Sequence, residues 1–210
     1  MAESFRQSLP EWEPALPEET SDQRAAPRFT LLIRNAKIVY PSGEYLCVIR
    51  DVSATGLRIK TFHRLPDEEP HYLEMATGER YAIAPVWQGE QIAGLRFCED
   101  QDVVSIIRED GPYPKRSLRI MLQVAATATS LGKSYPVTIE NLSQYGARFD
   151  CADRLAIEQR IVLAGKHLPD IEAIVRWRKG AQYGVAFRRT FRIEELAVLA
   201  AELQDRALLN

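Results

Sequence analysis

Two short sets of residues in the first third of the chain have the types and spacing for anion and ring recognition. Arg24 and Arg28 stand four apart in Arg24-Ala25-Ala26-Pro27-Arg28, and 23 residues beyond Arg28 the run Asp51-Val52-Ser53-Ala54-Thr55-Gly56 begins. A guanidinium is a planar fork of donors that pairs with two acceptors at once or stacks on a flat ring. Pro27 stiffens its segment and disfavours helix at Ala26, which leaves the two Arg in an irregular arm from which both can approach one ligand. Asp51 is acceptor-only when ionised, and Ser53 can bond a ligand or its own turn. Gly56 supplies a backbone geometry or close approach that a side chain would block. The plainer alternatives are a solvated basic turn for the Arg pair and an Asx-type turn between strands for Asp51 and Ser53.

Other chemistries have little to draw on. Cys47, Cys98 and Cys151 are odd in number and far apart, which excludes a disulfide framework or a CxxC metal site, and they read as buried small hydrophobes. His63, His71 and His167 lack metal-ligand spacing, and phosphate-cradling Gly-rich loops and HExxH are absent from the sequence. No catalytic residue, metal or cofactor is assigned, and an enzyme is not expected.

Of the 27 cations in the 210 residues 21 are Arg, so forks rather than point charges dominate the positive surface. Residues 21–110 carry a net −3 and residues 111–210 a net +5, which argues against a continuous basic face for nucleic acid but leaves room for a local anion site. No stretch approaches the length of a membrane span and the acidic start lacks a signal-peptide pattern, so a cytoplasmic protein is expected.

The elements that must position these residues come twice. Asp51 to Ile59 returns as Asn141 to Phe149 at an offset of 90, which also carries Val86-Trp87 onto Arg176-Trp177 and Gly94-Leu95-Arg96-Phe97 onto Gly184-Val185-Ala186-Phe187. Each copy reads as short alternating strands broken by turn residues. The first would have strands near 29–40, 44–51, 56–61, 71–75, 80–88 and 91–98, the second near 118–129, 134–141, 146–150, 159–163, 169–178 and 182–188. Trp87 and Trp177 would fill the interiors. An amphipathic helix over 192–208 follows the second copy, a shorter one the first, and Gly111-Pro112 marks a boundary. The expected organisation is a disordered acidic arm over 1–20, a first domain over 21–110 and a second over 111–210.

An RxxxR ahead of a strand, a [DN]xSxxG after the next, then a Trp strand and a GhxF strand, all duplicated, resemble the PilZ domain, a bacterial receptor module for cyclic di-GMP. The resemblance implies a mainly β fold of two tandem six-stranded antiparallel barrels, each followed by a C-terminal helix. It implies that Arg24 and Arg28 hold guanine and phosphate of the messenger, with Asp51, Ser53 and Gly56 completing the site. Guanine presents O6 and N7 to an Arg fork, its N–H donors to a carboxylate and its flat face to a guanidinium. The second copy departs from the pattern: Lys115 and Arg119 stand at the RxxxR positions with Arg116 adjacent, followed by Asn141, Ser143 and Gly146. Lys115 lacks the bidentate and stacking modes. These six residues form a second candidate site, with a degenerate barrel that scaffolds the first as the preferred alternative.

The expected function is a non-enzymatic receptor: messenger enters the first barrel, the arm 20–28 orders over it, and an effector protein reads the changed surface. The alternative is a PilZ-fold interaction module that binds no nucleotide. The helix 192–208 is a lid on its own barrel or a homodimer surface.

Overall fold

The computed structural model describes residues 29–108 and 117–209. Its N-terminal part contains β1 (Phe29–Tyr40), β2 (Gly43–Val52), β3 (Gly56–Lys60), β4 (Tyr72–Met75), β5 (Arg80–Tyr81), β6 (Ile83–Gln88), β7 (Ile92–Phe97) and α1 (Val103–Arg108). The C-terminal part contains β8 (Ile120–Ser130), β9 (Lys133–Leu142), β10 (Gly146–Asp150), β11 (Arg160–Gly165), β12 (Leu168–Lys179), β13 (Gln182–Phe187), α2 (Ile193–Gln204) and a short 3-10 helix, Arg206–Leu209. Alternation sets which face is buried: Ala147 and Phe149 of β10, and Ala173 and Val175 of β12, point inward between solvent-facing neighbours.

The C-terminal strands close into a six-stranded antiparallel barrel, β8-β9-β10-β13-β12-β11 and back to β8. The N-terminal strands do not: they form an open seven-stranded sheet in the order β5-β4-β1-β2-β3-β7-β6. The expectation of two closed six-stranded barrels is corrected here, and a proline supplies the reason. In the barrel, β12 is continuous and closes through Val175, whose N–H donates to the Gln159 carbonyl at 3.0 Å and whose carbonyl accepts from Glu158 N–H at 2.8 Å. Ninety residues earlier the chain has Pro85, which lacks the N–H. The strand is interrupted at Ala82, so β5 pairs with β4 while β6 pairs with β7.

Two further expectations change. Cys47 and Cys151 are buried but Cys98 is exposed. Trp87 and Trp177 lie outside rather than within, 45% and 41% exposed. Each ring lies against a glycine, Gly94 or Gly184, on the neighbouring strand, where a Cβ would collide with the indole.

Helix α2 neither caps only its own barrel nor leaves an apolar face for a second copy. Leu196, Ala197, Leu199 and Ala200 pack into the barrel's apolar cluster, whereas Ala201, and Leu208 just beyond the helix, belong to the cluster of the N-terminal sheet. The homodimer surface expected at 192–208 is therefore occupied within the chain.

Candidate functional site

The turn between β9 and β10 is built from hydrogen bonds that its sequence dictates. Ser143 donates to the Gly146 carbonyl twice, from its N–H at 2.9 Å and from Oγ at 3.1 Å. The turn between β2 and β3 does the same, with Ser53 N–H and Oγ at 2.8 and 3.1 Å from the Gly56 carbonyl. Other bonds repeat in register: Phe97 N–H to Thr55 and Phe187 N–H to Tyr145, each 2.9 Å, and Gln101 N–H to Ala54 and Phe191 N–H to Gln144, each 2.9 Å. Gly56 and Gly146 allow a close approach of the neighbouring strand. A Cβ on Gly56 would lie 2.5 Å from the Leu95 carbonyl oxygen, and one on Gly146 would press on that of Val185.

The two turns differ in the residue that opens them. Asp51 is 2% exposed, and Oδ2 receives Nε and Nη2 of Arg58, both at 2.5 Å. At the equivalent place Asn141, also 2% exposed, has a neutral carboxamide, and Arg148 pairs instead with Glu140 at 2.5 Å.

A cleft of about 230 Å³ opens beside the second turn and gathers three stretches of chain: Ser117 and Arg119 before β8, Asn141 to Ala147, and Arg176, Trp177 and Gly184 from β12 and β13. It is smaller than a typical small-molecule pocket of roughly 300–1,000 Å³. Asn141 offers both a donor and an acceptor, Trp177 an exposed ring, and Arg119 an exposed fork. Arg176 reaches the rim while bonded through Nη1 to both oxygens of Glu158 at 2.8 and 2.9 Å. Larger hollows lie elsewhere, but in the one beside Phe191 the cations are already matched, Arg188 to Glu172 at 2.5 Å and Arg189 to Glu195 at 3.0 Å.

Of the residues expected to bind ligand, the structure brings Arg119, Asn141, Ser143 and Gly146 together in this cleft. Asp51, Ser53 and Gly56 share the first turn. Arg24, Arg28, Lys115 and Arg116 lie outside the described residues. The contribution of Arg176 and Trp177 was not drawn from the sequence, although both stand in the block that repeats Val86-Trp87. Strand pairing matches the starts of β1 and β8: Phe29 and Thr30 oppose Val52 and Asp51 as Ile120 and Met121 oppose Leu142 and Asn141. Among the described residues no group of three His, Cys, Asp or Glu is placed to hold a metal, and no helix is long and apolar enough to cross a membrane.

Residues 114–204, which span the barrel, its cleft and α2, match the PilZ domain family. No curated protein matches the sequence. Among solved structures the chain is similar to the Borreliella burgdorferi PlzA protein in complex with c-di-GMP, at 11% identity over 82% of this chain and 87% of that one, TM-score 0.34. It is similar to the Bacillus subtilis inhibitor of motility MotI/DgrA, at 15% identity over 84% and 97%, TM-score 0.34. It is also similar to Escherichia coli YcgR in complex with c-di-GMP, at 11% identity over 79% and 80%, TM-score 0.31.

Proposed function

We propose that the chain is a cyclic di-GMP receptor without catalytic turnover, and that the messenger enters the cleft of the C-terminal barrel. The observation that carries this reading is the convergence of Arg119, Asn141 and Trp177 from three separate stretches on one cleft inside the PilZ match. Asn141 and Ser143 would meet the guanine edge, Trp177 its face, and Arg119 with Lys115 and Arg116 the phosphates. Ordering of the arm ahead of β8 over bound ligand would change the surface offered to an effector protein.

The N-terminal motif is a second site under this proposal, with Arg24 and Arg28 above Asp51, Ser53 and Gly56. What favours it is the repeated set of bonds around Ser53 and Gly56. Against equal strength stands the Asp51 carboxylate, already paired with Arg58.

Isothermal calorimetry of the full chain with cyclic di-GMP tests both. Micromolar or tighter binding lost in Arg119→Ala supports the barrel site, and loss in Arg24→Ala or Arg28→Ala instead moves the site to the N-terminal sheet. Absence of binding by the unaltered chain overturns the receptor reading in favour of an interaction module that binds no nucleotide.

A further inference from the structure

The backbone that carries Arg119 is held from the other half of the molecule. Lys37 of β1 is buried: its ammonium donates to Glu44 Oε2 at 2.9 Å and to the Arg119 carbonyl at 3.1 Å, and it forms an ion pair with Glu74 Oε1 at 3.1 Å. The same Glu44 Oε2 accepts from the Met121 N–H at 2.8 Å. One lysine and one glutamate of the N-terminal sheet thus grip the main chain on both sides of Ile120.

The barrel holds this stretch through the buried side chains of Leu118, Ile120 and Leu122, while its backbone ladder is interrupted just beyond it. Ile120 and Met121 pair with Leu142 and Asn141, but the β8–β9 register then shifts between Met121 and Val124. Arg119 precedes the strand, and Met121 is the register partner of Asn141, so the gripped stretch carries or adjoins two of the cleft's polar groups. A side chain that must meet a ligand loses affinity when its backbone is free to wander, because the ordering cost is then charged to binding.

We propose that Lys37 and Glu44 are positioning residues for the barrel cleft: they touch no ligand, but by fixing the Arg119 and Met121 backbone they tune messenger affinity, and bound messenger in turn tightens the junction between the sheet and the barrel. This rests on the cleft being the cyclic di-GMP site. The coupling is reciprocal by linkage, whatever route carries it.

The test titrates the full chain and its variants with cyclic di-GMP and records melting temperature for each. Glu44→Met removes the acceptor and Glu44→Gln keeps one oxygen for both Lys37 and Met121. Ile59→Ala is a core lesion of the N-terminal sheet remote from the cleft. Expected are affinities weakened about tenfold in Lys37→Met and Glu44→Met, with Glu44→Gln and Ile59→Ala near the unaltered chain. Should Lys37→Met fail to fold, the Glu44 pair decides alone. The proposal is overturned by Glu44→Met binding as tightly as Glu44→Gln, or by Ile59→Ala weakening binding as much as Glu44→Met at a similar loss of melting temperature. An unaltered chain that does not bind, or an Arg119→Ala variant that binds normally, removes the cleft reading and the positioning role with it. Tight, Arg119-dependent binding indifferent to Glu44 removes only the latter.

Discussion

Gln204, in the last turn of α2, holds the main chain of Glu44 from both sides: its Nε2 donates to the Glu44 carbonyl at 2.9 Å while its Oε1 accepts from the Glu44 N–H at 3.0 Å. A side-chain amide here takes the place of a neighbouring strand, 160 residues away in sequence. Gly43 beside it leaves the room, since a Cβ there would meet the Gln204 carboxamide. Truncation in Gln204→Ala leaves two partly buried backbone groups without their partner. It should lower stability by about 1–3 kcal/mol in denaturant melts.

The close strand approach at the second turn makes Gly146→Ala destabilising whatever binds nearby. The added methyl presses on the Val185 carbonyl, and β10 and β13 must part to admit it. A loss of about 1–3 kcal/mol is expected, read as a lower melting temperature in the absence of any ligand. An unaltered melting temperature would show that the strands separate freely at this point.

The hairpin between β8 and β9 turns through Leu131 and Gly132, with φ of 50° and 74°. Two positive φ values match the twist of the flanking strands, a geometry that Asn-Gly adopts readily and leucine does not. Leu131 is also 97% exposed, so its side chain contributes no burial. Leu131→Asn should therefore stabilise the protein by about 1 kcal/mol, seen as a higher denaturation midpoint with an unchanged slope.

His63 should make stability depend on pH. Burial holds its imidazole below the ordinary 6.5, partly opposed by the bond from Nδ1–H to the Arg64 carbonyl. Below pH 6.5 the unfolded chain takes up a proton that the folded chain resists, so this contribution is complete above 6.5 and is lost as pH falls beneath it. Stability measured at about pH 7.5 and about pH 5 should differ less in His63→Gln than in the unaltered chain. An equal difference in both would assign the acid sensitivity to other groups.

Much of the fold was legible because its signals are local. Alternation located β1 and β10 to the residue and the remaining long strands to within one or two. The repeated Ser and Gly located both turns, since Ser53 and Ser143 bond within three residues of themselves. The open N-terminal sheet was missed although Pro85 was in view. Its effect appears only when Val175, at the matching position, is seen to donate across to Gln159. The two Trp were expected inside; the glycines opposite them make room on the outer face instead.

The candidate site was legible as a motif and not as a place. Both copies show the turn residues, and the departure at Lys115 pointed to the first copy as the stronger site. In the folded chain Asp51 is engaged by Arg58, while Asn141 lines a cleft with Arg119 and Trp177.

By itself the sequence determined the strands, the paired turns and the duplicated pattern, because these follow from side-chain period and from bonds that span a few residues. Tertiary structure alone decided which sheet closes, which turn opens on a cleft, and that α2 serves both halves. Closure needs backbone partners from separate strands, and the junction needs a buried ammonium to find partners at Glu44, Glu74 and Arg119, residues that share no local signal and meet only when the sheet and the barrel pack together.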